Sequence, residues 1–144
     1  KKINPKLKIF SYNKQINKES CNKLINKTNI VVDGTDNWST MLIINDYCVK
    51  KSIPLLSASA TGYDGNLTLF QNLKKTHLCL RCIFPNKKEI DLPRCETIGI
   101  LGTSAGIVGI LSAHKILNFL ISNKKENELK IILEKAEEKE NKWN

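Results

Sequence analysis

Several residues in this chain have types and spacings that can carry chemistry. Asp33 and Asp36 close a β-branched run in NIVVDGTDN. In parallel α/β sheets, ligands gather outside the carboxyl ends of the strands. A carboxylate there, beside a helix start, can supply the oxygen ligand that Mg²⁺ requires. Capping is the competing role, because Asp36 or Asn37 can equally accept from the first N–H groups of the following helix. Cys79 and Cys82 form a CxxC in HLCLRC, half of a tetrahedral thiolate zinc site. A redox role would want that motif at the start of a helix near a βαβ unit. It lies instead in a turn-rich stretch ending in Pro85, and His77 and Cys95 are the other nearby ligand types. Cys95 stands between Arg94 and Glu96: the cation favours a nucleophilic thiolate, and the carboxylate opposes it. His114 sits in an apolar run and reads as a packed, hydrogen-bonded histidine.

The elements that must position these groups follow from periodicity. LKIFSY (7–12) reads as a short strand, and Ser20 to Asn26 as a small amphipathic helix with Ser20 as N-cap. Asn29 to Gly34 is the clearest buried strand. A helix is predicted from about Asn37 to Lys51, with Met41, Ile44 and Cys48 on one face and Asp46 and Lys50 directed elsewhere. PLLSASA, a Gly-Tyr-Asp-Gly turn (62–65) and NLTLF predict an antiparallel hairpin. A loop-rich stretch (71–93) precedes a long apolar helix from near Ser104 to Ile121. Its Ala105, Gly109, Ser112 and Ala113 form a small-residue stripe suited to close backbone approach. Residues 123–144 predict a separate charged amphipathic helix, with Leu129, Ile132, Leu133 and Ala136 on one side. Strand, helix, strand with a buried first strand predicts an α/β sheet.

Composition narrows the function. At 144 residues with 41% hydrophobic and 26% charged residues, the chain can build one packed core, which excludes wholesale disorder. Of the net charge of +9, +7 sits in the first 27 residues, where eight Lys face one Glu; the middle of the chain is near neutral. Only two of the 23 basic residues are Arg, so the forked base and phosphate contacts of nucleic-acid readers are scarce. This argues against a nucleic-acid partner. Five cysteines without a secretory signal predict a reducing, cytoplasmic setting. The run from Ile98 to Ile121 is broken by Gly99, Gly102, Thr103 and Ser104 and carries His114, Lys115 and Asn118, so it predicts a buried helix and no membrane span. No Gly-rich phosphate loop is present; Gly102 to Gly106 opens an apolar helix without a preceding buried strand or a Lys, and reads as a packing and capping device.

Three motifs in register, DGTDNWSTMLIINDYCVKKSIPLLSASATGYDGNLTLF, CLRCIFP and CETIGILGTSAGIVGILSAHKIL, resemble the adenylating enzymes that activate ubiquitin-like sulfur carriers, the MoeB, ThiF and Uba4 proteins, over roughly Asn4 to Leu120. The resemblance implies a Rossmann-like mixed β-sheet with flanking helices, part of the adenylation domain of ubiquitin-activating enzymes. Residues 1–122 would be the C-terminal portion of that domain. It further implies that Asp36 binds Mg-ATP and helps catalyse adenylation, with Asn37 beside it at the nucleotide. Cys79 and Cys82 would bind Zn²⁺ together with a second ligand pair that this chain lacks, and Cys95 would form a covalent sulfur link to the carrier, as in the ThiF and Uba4 branches. The implied partners are a sulfur-carrier protein ending in Gly-Gly and a second copy of the enzyme. The nucleotide half, with its Gly-rich loop and phosphate-gripping Arg and Lys, normally precedes the position of Lys1, and Met41 stands where relatives commonly carry an Arg. In isolation this segment is therefore not expected to bind ATP well. A carrier-binding zinc module that has lost nucleotide chemistry, and a tRNA-modifying dehydratase of the same superfamily, are the alternative readings.

Overall fold

The computed structural model describes residues 4–72, 77–85 and 99–121. Helix α1 (Lys18–Leu24) opens on a reciprocal cap: Asn17 Oδ1 accepts from the Ser20 N–H at 2.7 Å, and Ser20 Oγ accepts from the Asn17 N–H at 2.8 Å. Ser20 is thus the third helical residue and not the N-cap expected from sequence. Strand β1 (Val31–Asp33) follows, then α2 (Trp38–Lys51), β2 (Leu55–Thr61) and β3 (Asp64–Phe70). A single turn, α3 (Leu80–Ile83), carries the CxxC, and α4 (Gly102–Ile121) ends the described part.

The sheet is mixed, in the order β1-β2-β3. β1 runs parallel to β2, pairing Val31 with Leu55 and Asp33 with Ser57. β2 and β3 form the expected hairpin, in register from Leu55–Phe70 to Thr61–Asp64. Gly62 at the reversal has φ +59°, a conformation glycine adopts without a Cβ penalty.

Alternation along β2 separates two packed faces. Leu55, 1% exposed, joins Cys21, Ile44, Cys48 and Phe70 in the core beneath α1 and α2. Leu56 and Ala60 face the other way, toward α4, which packs on β2 and β3. Gly65, opposite Ala60, lies so close to α4 that a Cβ there would run into the Val108 side chain. The close approach therefore comes from a glycine in the strand. Of the small-residue stripe on α4, only Ser112 is buried, its Oγ donating to the Val108 carbonyl at 2.7 Å; Ala105, Gly109 and Ala113 are exposed.

Two further expectations change. Residues 7–12 form no strand, and Phe10 is 76% exposed; apolar alternation favours a strand, which also needs a ladder partner. The predicted buried strand is half-exposed here: Asp33 is buried and Val32 lies open, since β1 has one neighbour among the described residues. Likewise α4 is long and apolar enough to cross a membrane by length and composition, and Ser112 is its one buried residue. It is not the buried helix anticipated, because one side meets the sheet and no described residue covers the other. The proposed 123–144 helix lies outside the described residues.

Candidate functional site

The loop between β1 and α2 is shaped by its own polar residues. Asp33 Oδ1 accepts from the Thr35 N–H (3.0 Å) and the Thr35 hydroxyl (2.7 Å), folding the chain back at the carboxyl end of the strand. Asn37 is the N-cap of α2: its Oδ1 accepts from the Thr40 N–H at 3.0 Å and the Ser39 hydroxyl at 2.6 Å. Between these two occupied side chains stands Asp36, exposed, its carboxylate without a hydrogen bond or ion pair among the described residues. No acidic residue lies in the first turn of α2, and Asp36 directly precedes its N-cap in the chain. Asp33 shapes the loop, Asn37 starts the helix, and Asp36 is left available. An available carboxylate at the carboxyl edge of parallel strands suits a hard divalent cation.

Trp38 follows directly. It is 9% exposed and meets Phe84 edge to face, with ring centroids 5.4 Å apart. Its indole N–H has no partner among the described residues, and leaving such a donor dry costs about 1–3 kcal/mol. Through Phe84 this residue joins the acidic loop to the CxxC turn, a link with no signal in the sequence.

In that turn Cys79 precedes α3, and its carbonyl accepts from the Cys82 N–H at 2.9 Å. The two Sγ atoms are 3.3 Å apart. Tetrahedral bonds of about 2.3 Å to zinc would set two sulfurs about 3.8 Å apart, so a small opening would fit the pair as half of such a site. No cluster of three metal-ligating side chains occurs among the described residues. Hydrogen bonds from Cys79 lower the Cys82 thiol below the ordinary range. Asp46 on α2 forms a bidentate pair with Arg81, 2.6 Å to Nε and 2.8 Å to Nη2, which holds the Asp46 carboxyl below its usual value. Asn45, 1% exposed, accepts from the Leu80 N–H at 3.0 Å. Helical periodicity directs Asp46 outward without a role; its partner lies 35 residues away, beyond the reach of local periodicity. The structure does not bring Asp36 together with the cysteines into one cluster. Cys95 lies outside the described residues.

A cleft of about 220 Å³ lies elsewhere, between α1 and α2, lined by Lys18, Cys21, Ile43, Asp46, Tyr47 and Lys50. Asp36 does not border it.

A mixed sheet with helices on both faces, and an acidic loop at the carboxyl end of its parallel pair, define part of a Rossmann-like α/β adenylation fold. The chain belongs to the ThiF family, whose profile matches residues 1–144. Among curated proteins it is 32% identical over 123 residues to the adenylyltransferase and sulfurtransferase MOCS3 of Dictyostelium discoideum, covering 85% of this chain and 28% of that protein. The MOCS3 protein of Culex quinquefasciatus is 31% identical over 122 residues, covering 84% of this chain and 27% of the relative. MOCS3-1 of Zea mays is 34% identical over 114 residues, covering 78% and 24%. The chain thus spans about a quarter of the length of these relatives.

Proposed function

We propose that this chain is part of an ATP-dependent adenylyltransferase that activates the C-terminal glycine of a ubiquitin-like sulfur carrier. The observation that carries this reading is Asp36, exposed and unengaged among the described residues, between a β1 terminus closed by Asp33 and a helix already capped by Asn37. Likeness to the MOCS3 adenylyltransferases supports the same reaction class.

In that reaction the carrier's carboxylate attacks the α-phosphorus of ATP. A new P–O bond forms, the bond to the bridging oxygen breaks, and pyrophosphate leaves. Bound Mg²⁺ would offset the triphosphate charge. Asp36 would hold the cation and fix the geometry of attack, and Asn37 would keep the loop against the helix terminus. Cys79 and Cys82 are assigned to half of a structural Zn²⁺ site, and Cys95 to sulfur transfer after adenylation. A second copy of the protein is the proposed assembly partner.

ATP–pyrophosphate exchange by the full-length gene product, with a carrier ending in Gly-Gly, tests the reading. Asp36→Asn should lower exchange about a hundredfold or more, while Asp33→Asn should first affect folding of the loop. Carrier binding without exchange in the wild-type protein would overturn the catalytic reading in favour of a binding module.

A further inference from the structure

The CxxC turn is too short to hold its own shape. α3 has four residues, its N-cap Cys79 makes no side-chain capping bond, and both thiols lie at or near the surface. Its geometry is set from outside, by α2. Leu80 is buried in the core and its N–H is bound by Asn45; Arg81, the next residue, is gripped by the Asp46 carboxylate. Phe84 beyond the second cysteine is seated on Trp38. The two residues between Cys79 and Cys82 are therefore both tied to consecutive positions of one helix.

We propose that Asn45 and Asp46 are positioning residues of a dithiol metal half-site, holding Cys79 and Cys82 side by side in a metal-ready turn before any metal arrives. This rests on the half-site assignment made above and adds the residues that organise it. In the free turn, bringing two thiols to 3.3 Å would cost backbone freedom at each binding event. Here that ordering is met by folding. Outer partners that orient metal ligands typically change affinity by about 10–100-fold when removed. The Asp46–Arg81 pair is half-exposed and adds little to global stability. Losing it should therefore show in metal binding and not in unfolding.

The test is Cd²⁺ titration of the reduced full chain, read by the ultraviolet thiolate-to-metal charge-transfer band, with circular dichroism and thermal melts in parallel. Cys21 and Cys48 are replaced by Ala and Ser in all samples if they contribute to the band in the folded protein. Asp46→Asn should weaken Cd²⁺ binding by about tenfold with little change in melting temperature. Asp46→Glu, which keeps the carboxylate, should recover most of the affinity. Wild-type binding with an unchanged Asp46→Asn titration overturns the positioning role and leaves the half-site standing. Equal weakening by Asn and Glu also overturns it, since carboxylate pairing would then not be the cause. A wild-type chain that shows no such band overturns both.

Discussion

Cys48 and Cys82 meet opposite surroundings on one small chain. Cys48 is fully buried beneath β2, where loss of solvation pushes its thiol up to about 12, with Cys21 and Asp33 adding to the effect. Cys82 stands at the surface, its thiol lowered by hydrogen bonds from Cys79. The thiolate is the reactive form, so brief iodoacetamide treatment at pH 7.5 should modify Cys82 at least about tenfold faster than Cys48 or Cys21. Peptide mass mapping reads the order, and equal labelling of Cys48 in folded protein would contradict its burial. The pH dependence follows with a definite sign. In unfolded chain a thiol ionises near about 8.5, while native Cys48 keeps its proton to about 12. The stability associated with Cys48 is complete below about pH 8.5 and declines as pH rises toward 12, because the unfolded state releases a proton that the native state retains. Cys48→Ala should flatten that alkaline decline in a series of denaturant midpoints.

At the scale of elements, the docking of α4 on the hairpin turns on Gly65. A side chain there meets Val108, and overpacking of this kind costs about 1–3 kcal/mol. Gly65→Val should therefore lower the denaturant midpoint, Val108→Ala should cost less, and the double variant should recover part of the loss. Additive effects would mean that the two do not touch. Legibility in the sequence follows the range of the interactions. The β2–β3 hairpin was readable because its alternation and glycine turn are local, and the α2 boundaries because Asn37 and the apolar face announce them. The α1 cap was misplaced by three residues, since Asn17 and Ser20 are both capable caps and each serves the other. For residues 7–12 the pattern points to a strand that the structure does not form, because a ladder depends on a partner that local pattern does not contain. The availability of Asp36 was half legible. Spacing left Asp36 and Asn37 as rival caps, and only the hydrogen bonds of Asn37 resolve which one remains open. The clamp from Asn45 and Asp46 was not legible at all, because it joins residues 35 apart through side-chain geometry.

At the scale of the whole molecule, the apolar surface of the described residues is distributed unevenly. The core beneath α1 and α2 holds Leu55, Ile44, Cys48 and Phe70 out of water, while α4 leaves Ile107, Ile110, Leu117 and Ile121 more than half exposed. Ser104, Val108 and Ser112 recur every fourth residue on the side toward the sheet, which fixes the opposite side as the one that no described residue covers. Open apolar stripes of this kind bind hydrophobic dyes and promote association. Accordingly, the 144-residue chain should enhance 8-anilinonaphthalene-1-sulfonate fluorescence and sediment with a concentration-dependent mass. Ile110→Glu with Leu117→Lys, one heptad apart, should reduce both signals about severalfold. Neither residue is buried, so the melting temperature should hardly move, in keeping with surface substitutions worth about 0.5 kcal/mol or less. A large fall in melting temperature would instead mean that these side chains pack against this same chain in solution, and that the open face of α4 is not open.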